Sequence, residues 1–280
     1  MIRPLRLAAV TLTALALTAT PALAAKGRGT TGNDTINGRA SADFIMSLGG
    51  RDRVKSRGGD DKIYAGKGND TVYGDDGNDW ITAQPGNDWV SAGAGNDRID
   101  GGSGDDVLYG SDGDDILAAN VGNDVLYGEA GNDLLGGNAG DDRLVGGDGS
   151  DKHVGGDGND WIDAGPGDDG AIQGGAGNDV LIDGEGHDWL IKGDEGDDIV
   201  FLGPGADKVF SEQGNDTIYV LPDGFVDKIR CDDGTQENGN ADTVVFVGWR
   251  DQLDVVDPFG SCENVMVVDA LPANWPYGPV

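Results

Sequence analysis

Along most of this chain a Val, Ile or Leu returns every nine positions, as at Ile63, Val72, Ile81, Val90, Ile99, Leu108 and Leu117. Two residues before each stands an aspartate, and two before that a glycine, so the unit reads Gly-x-Asp-x-apolar. The aspartates are Asp34, Asp43, Asp52, Asp61, Asp70, Asp79, Asp88, Asp97, Asp106, Asp115, Asp124, Asp133, Asp142, Asp151, Asp160 and Asp169. Ser41 replaces the glycine before Asp43; His153 and Ala171 replace the apolar residue after Asp151 and Asp169. The pattern continues at Asp179, Asp188, Asp198, Asp207 and Asp216 with one-residue slips. A fixed period over most of a chain signals a repeat architecture and takes precedence over any local motif.

The unit has a direct physical reading. Its glycine-rich hexad permits positive φ and close backbone approach, which makes a tight turn. The next three residues, such as Thr71-Val72-Tyr73, suit a very short strand whose middle side chain faces one way and whose flanks face the other. Val72, Ile81, Val90, Ile99, Leu108 and Leu117 are therefore expected to point inward. Two nonamers make one coil, strand-turn-strand-turn, and coils stack by parallel pairing at about 4.8 Å. Residues 18 apart then lie over one another, which sorts the aspartates into two columns, Asp34 to Asp160 and Asp43 to Asp169.

Carboxylates stacked at about 4.8 Å repel by roughly 0.9 kcal/mol per neighbouring pair in water, and by more near protein. Such a column is self-defeating unless cations lie between the turns. The donors on offer are carboxylates and backbone carbonyls. An all-oxygen set suits Ca²⁺, which tolerates six to eight ligands in flexible geometry, better than Mg²⁺ with its stricter octahedron.

The stretch Gly101-Gly102-Ser103-Gly104-Asp105-Asp106-Val107-Leu108-Tyr109 resembles the Gly-Gly-x-Gly-x-Asp-x-apolar-x nonapeptide of the repeats-in-toxin, or hemolysin-type calcium-binding, family. So do 146–154 and 155–163, apart from His153 at an inward place. The resemblance covers roughly residues 29 to 220. It implies an all-β fold, a parallel β-roll (a β-solenoid with two nonapeptides per coil) that holds Ca²⁺ between successive turns. Carried over position by position, all twenty-one aspartates from Asp34 to Asp216 named above become side-chain ligands, with turn carbonyls completing each site. Ser56-Arg57, Ala83-Gln84, Ala119-Asn120 and Ser211-Glu212 depart from the pattern by lacking both leading glycines.

The two ends read differently. Residues 1–24 have the form of a secretory signal peptide: Arg3 and Arg6, an apolar run from Leu7 to Leu17, and Ala22-Leu23-Ala24 as the cleavage motif. The run is too short to span a bilayer. A short polar lead-in (25–31) precedes the expected roll (32–220). Its early repeats carry Arg39, Arg51, Arg53, Lys55, Arg57 and Lys62, suited to a soluble end that blunts an open sheet edge. From 221 to 280 glycine thins, and the runs 242–247 and 265–268 read as strands of a small C-terminal β cap ending in a loose tail, Pro272 to Val280. Cys231 and Cys262 are the only cysteines. In an exported chain a disulfide between them is expected, worth about 3–4 kcal/mol in the chain-entropy model.

Charge decides the state of the chain. Of 280 residues, 51 are Asp or Glu and 19 Lys or Arg, a net charge of −32 that becomes −34 once Arg3 and Arg6 are removed. Nucleic acid and anionic membrane are excluded as unaided partners, and no stretch beyond the leader is apolar enough to be an integral membrane span. Low hydrophobicity with high charge predicts disorder without metal. Roughly 10–18 Ca²⁺ ions between the turns would offset most of that charge, so folding and binding are expected to be one event.

Neither H-E-x-x-H nor G-x-S-x-G occurs, and two histidines cannot build a usual zinc site, so no enzyme is expected. His153 is expected in the core between Leu135 and Ala171, and His187 exposed in a turn. The ten-residue steps 169–179 and 188–198 predict a bulge near 170–174 and a second irregular turn. Tyr73, Trp89, Val107, Tyr109, Val125, Tyr127 and Trp161 should share one outer face, with Trp80, Ile116 and Leu134 on the other. These observations predict a secreted, monomeric calcium-binding structural or interaction module. The alternatives are an adhesion module whose aromatic face takes cell-wall glycan or an extracellular protein, and a non-catalytic accessory of a secreted enzyme.

Overall fold

Each nonamer becomes one strand and one turn, and successive strands alternate between two sheets. The computed structural model describes residues 26–231, 241–248, 255–256 and 262–268. In it each sheet holds 13 strands, all parallel, with every strand beside the one two before it in the chain. The register over the middle of the chain is a step of 18: Trp80 lies opposite Arg98 and Ile81 opposite Ile99, Val107 opposite Val125 and Leu108 opposite Leu126. The molecule is thus a parallel β-solenoid of about 12 turns.

The strands are longer than the three residues expected. Thr71–Asp76, Trp80–Pro85 and most of their successors run six residues, because turn stacks on turn and the hydrogen-bonded ladder continues through the first half of the hexad. Gly77 N–H, for example, donates to the Ala94 carbonyl at 2.8 Å. The chain then leaves the sheet through two positive-φ positions. The fourth place is almost always glycine, as at Gly104 (φ 117°), where a Cβ would strike the carbonyl oxygen of Gly86. The second place tolerates other residues in the left-handed region, among them Arg57, Gln84, Asn120 and Glu212. Turns without leading glycines, these four and Ser47-Leu48 (Leu48 φ 81°), therefore keep the same backbone path.

The core is narrow, one large side chain per strand from each sheet. Val72, Ile81, Val90, Ile99, Leu108 and Leu117 are buried, as expected, and Ala65, Ala83, Ala92, Ala119 and Ala164 fill the corners. His153 is also buried, and burial pushes its pKa down to about 4, so it packs as a neutral ring. Its neighbour on the next coil is Ile172, not Ala171. Gly170 takes up the extra residue, its N–H donating to the Asp151 carbonyl at 2.8 Å. Ala171 consequently faces outward and a large side chain returns to the core. The second ten-residue step is not an irregular turn. The hexad 183–188 keeps its length, and the added residue follows Asp188, where Trp189 stands out 61% exposed and Ile191 lies opposite Ile172. Two bulges on adjacent parallel strands stack, so the ladder survives both.

The ends extend the solenoid. Lys26–Arg28 in the lead-in pairs parallel with Phe44–Met46. Beyond Val220, Lys228–Arg230, Thr243–Val247, Val255–Val256 and Asn264–Val268 add two further strands to each sheet. Cys231, buried just beyond one strand, is disulfide-bonded to Cys262, just before another. The expected leader (1–24) and tail (Pro272 to Val280) lie outside the described residues.

Gly104→Ala should lower the unfolding free energy of the metal-loaded protein by at least about 2 kcal/mol, through left-handed strain and the carbonyl clash. Ser111→Gly, at a second place with positive φ, should change it by less than about 1 kcal/mol. Chemical denaturation of the two variants checks the pair.

Candidate metal sites

The sixth place of each nonamer is where the strand begins and where its aspartate turns inward under the next coil. Parallel stacking carries each backbone N–H to the carboxylate one coil on. Asp70 N–H donates to Asp88 Oδ1 at 2.7 Å, Asp79 to Asp97 at 2.6 Å, Asp88 to Asp106 at 2.7 Å and Asp106 to Asp124 at 2.6 Å. The two bulged coils preserve the link, with Asp160 bonded to Asp179 and Asp169 to Asp188, both at 2.7 Å. All twenty-one sequence-predicted aspartates stand in these two ladders. Asp34, at the open end, is half-buried; the rest are buried.

Both ladders run further than the nonapeptide pattern reveals. Asp207 N–H donates to Asp227 Oδ1 and Asp216 N–H to Asp242 Oδ1, both at 3.0 Å, and Asp242 N–H donates to Glu263 Oε2 at 2.9 Å. The trace in the sequence is an acidic residue two before an apolar one, as in Asp227-Lys228-Ile229, Asp242-Thr243-Val244 and Glu263-Asn264-Val265, without the glycine or the nine-residue step.

A second ladder lies outside the first and runs the other way. The fifth-place side chain accepts from the backbone N–H one coil on: Asn78 Oδ1 from Asn96 at 2.7 Å, Asp141 Oδ1 from Asn159 at 2.8 Å, Asn33 Oδ1 from Arg51 at 2.8 Å. This is the physical reason Asn and Asp recur at that place. His187 stands in for them, its Nδ1 accepting from Ala206 N–H at 2.9 Å while its ring meets Phe225 edge-on.

One carboxylate oxygen in each inner rung is left over. From Asp52 to Asp216 the Oδ2 atoms of nineteen ladder aspartates are buried with no hydrogen-bond partner. The two rungs at the N-terminal end differ: Asp34 Oδ2 accepts from Thr30 N–H and Asp43 Oδ2 from Arg39 N–H, each at 2.6 Å. The cradle above nearly every orphaned oxygen is made by a small first-place residue. A Cβ on Gly74, Gly137 or Gly155 would collide with the carboxylate of Asp79, Asp142 or Asp160.

A buried carboxylate without a partner takes up either a proton or a cation. Burial pushes the carboxyls of Asp70, Asp97, Asp160 and Asp216 up to about 6. It takes Asp79, Asp88, Asp115, Asp142, Asp151, Asp169, Asp179 and Asp207 to about 7. Asp106, Asp188 and Asp198 reach about 8, where the charges of ladder neighbours add to desolvation. The backbone N–H bond to each carboxylate pulls in the opposite direction. The donor set is hard oxygen throughout, repeated at every turn and framed by the glycine cradle. It fits Ca²⁺: the aspartates would hold the ion, and its charge would take the place of the protons.

Fold and site together define a parallel β-solenoid whose stacked turns carry two ladders of buried aspartates, a donor set that fits a divalent cation. Residues 27–218 match the RTX calcium-binding nonapeptide repeat in overlapping copies, and the chain belongs to that family. No curated protein matches it.

The raised carboxyls fix the sign of a pH effect. In the metal-free folded state these groups hold protons above the 3.8 at which the unfolded chain releases them. Between about pH 4 and pH 8 the folded form therefore binds more protons, and its stability falls as pH rises through that window. Acidifying the chelated protein from pH 8 to about pH 4.5 should increase its β signal by circular dichroism. The Ca²⁺ concentration needed for half-saturation should rise over the same interval, because protons compete for the same oxygens.

Proposed function

We propose that the protein is exported and works outside the cell as a calcium-loaded structural or interaction module, without catalytic chemistry of its own. The observation that carries this reading is the double row of buried, unpartnered carboxylate oxygens, which makes a divalent ion part of the folded structure. Export is supported by the signal-like residues 1–24 and by the disulfide Cys231–Cys262, a bond that belongs to oxidising compartments. Outside the cell Ca²⁺ is near millimolar, enough to fill sites of the weak extracellular class. At roughly 10–18 ions per chain, metal offsets most of the negative charge that otherwise keeps the polypeptide open. A monomer is the state this reading favours.

A second reading, adhesion, is favoured by one outer face. Tyr73, Trp89, Tyr109 and Tyr127 form a row with ring centroids 5.0, 5.6 and 4.8 Å apart, the last pair stacked. Arg53 lies over Tyr73 at 4.8 Å and Arg143 over Trp161 at 4.0 Å. Aromatic rows with flanking guanidinium groups suit a sugar chain or a protein partner carrying both apolar and acidic groups.

In chelator the chain should show little β signal, and adding Ca²⁺ should restore it in one cooperative step by circular dichroism; a chelated protein with an unchanged folded spectrum contradicts the proposal. For the second reading, Trp89→Ala combined with Trp161→Ala should reduce retention on cell-wall glycan at least about tenfold, in line with the loss of two aromatic anchors. Unaltered retention leaves the structural reading alone.

A further inference from the structure

One turn of the roll is built unlike the others. The first place of the hexad, five residues before each ladder aspartate, is Gly, Ala or Ser in every unit from Gly29 to Ser211 except two, Asp183 and Leu202. Asp183 is the only acidic residue among them, and it is buried. Its backbone leaves the strand Val180–Ile182, and its Oδ1 accepts from Gly203 N–H one coil on, at 2.6 Å. The carboxylate is thereby held in the cradle that a glycine, alanine or serine lines in nearly every other turn. There it meets the two ladder carboxylates of its own and the following coil. Ligand oxygens of Asp183, Asp188 and Asp207 lie within 4.8 Å of one another, the one such group among the described residues. Asp188 and Asp207 are linked by the ordinary rung, Asp188 N–H to Asp207 Oδ1 at 2.9 Å. Their Oδ2 atoms are buried and have no partner.

We propose that Asp183, Asp188 and Asp207 form a reinforced calcium site, the tightest in the roll and the first to fill. This rests on the calcium reading of the ladders and adds to it a distinction between turns. An ordinary site draws side-chain charge from the carboxylates of two successive coils; this one draws on three carboxylates. Affinity for Ca²⁺ rises with the number of ligand charges in a rigid site. This cluster is rigid because a backbone N–H holds each carboxylate: Gly203 holds Asp183, Asp169 holds Asp188 and Asp188 holds Asp207.

The test is a Ca²⁺ titration of the full chain against a chromophoric chelator, with Ca²⁺ as the only added metal. The wild-type chain should show one site at least about tenfold tighter than the rest. Asp183→Gly installs the residue usual at this place, and Asp183→Asn keeps the shape and the bond from Gly203. Both should abolish the tight step and leave the weaker ones in place. Glu185→Gln removes the same charge from an exposed position two residues on and should leave the tight step unchanged. A wild-type chain that loads many ions with a single uniform affinity overturns this inference while sparing the calcium reading. So does an Asp183→Asn curve that overlays the wild type, or a loss of the tight step in Glu185→Gln. A chain that takes up no Ca²⁺ overturns both.

Discussion

Burying a carboxylate is among the costliest things a fold can do, and here it is done once per turn down two columns. Each ladder aspartate from Asp52 to Asp216 receives a backbone N–H on one oxygen, which leaves the other without a partner. The remaining forces are slight. The interior is only two large side chains wide. Among the described residues the surface ion pairs are few and partly exposed, such as Lys55 with Asp75. A core this thin cannot carry two rows of ionised carboxylates unaided. Cations between the turns would change the sign of the balance, turning the most repulsive part of the molecule into its cross-linking. Proteins built this way are close to one-dimensional: each coil leans on its neighbours, so the stability of any turn depends on whether the adjacent sites are filled.

The nine-residue step makes most of this legible from the chain alone. It sets the pairing of residues 18 apart, the inward row from Val72 to Leu117 and both aspartate columns, because in a parallel stack position along the repeat is position in space. The ten-residue steps announce the bulge near 170–174; what stays hidden is how the stack absorbs such breaks. Gly170 and Trp189 each add a residue, yet the bulges sit on adjacent strands and cancel, so Ile172 and not Ala171 faces His153. Asp227, Asp242 and Glu263 continue the ladders at irregular intervals, because the connections before them lengthen while the strand starts stay in line. Asp183 reads in the sequence as a missing glycine; only the coil stacking shows that its carboxylate arrives beside two others.

The turns also explain a compositional habit with no obvious cause in the sequence. Asn and Asp at the fifth place form an outer hydrogen-bond ladder opposite in direction to the inner one, so many turns are tied to their neighbours by bonds that involve no metal. That leaves the sixth-place carboxylates free to serve the ion. The outer faces of the sheets lie away from the aspartate ladders and are then available for other uses. The row from Tyr73 to Tyr127 and the basic side chains at the N-terminal end, with Lys62 lying 4.0 Å over the Trp80 ring, occupy that surface.

The central claim is that divalent ions are constituents of the fold, and the most direct measurement of it is an ion count on the intact chain by native mass spectrometry, paired with its collision cross-section. The account predicts about 10–18 Ca²⁺ on a compact species and an expanded species when the metal is stripped. A compact chain carrying no ions, or one saturated by one or two, would contradict it.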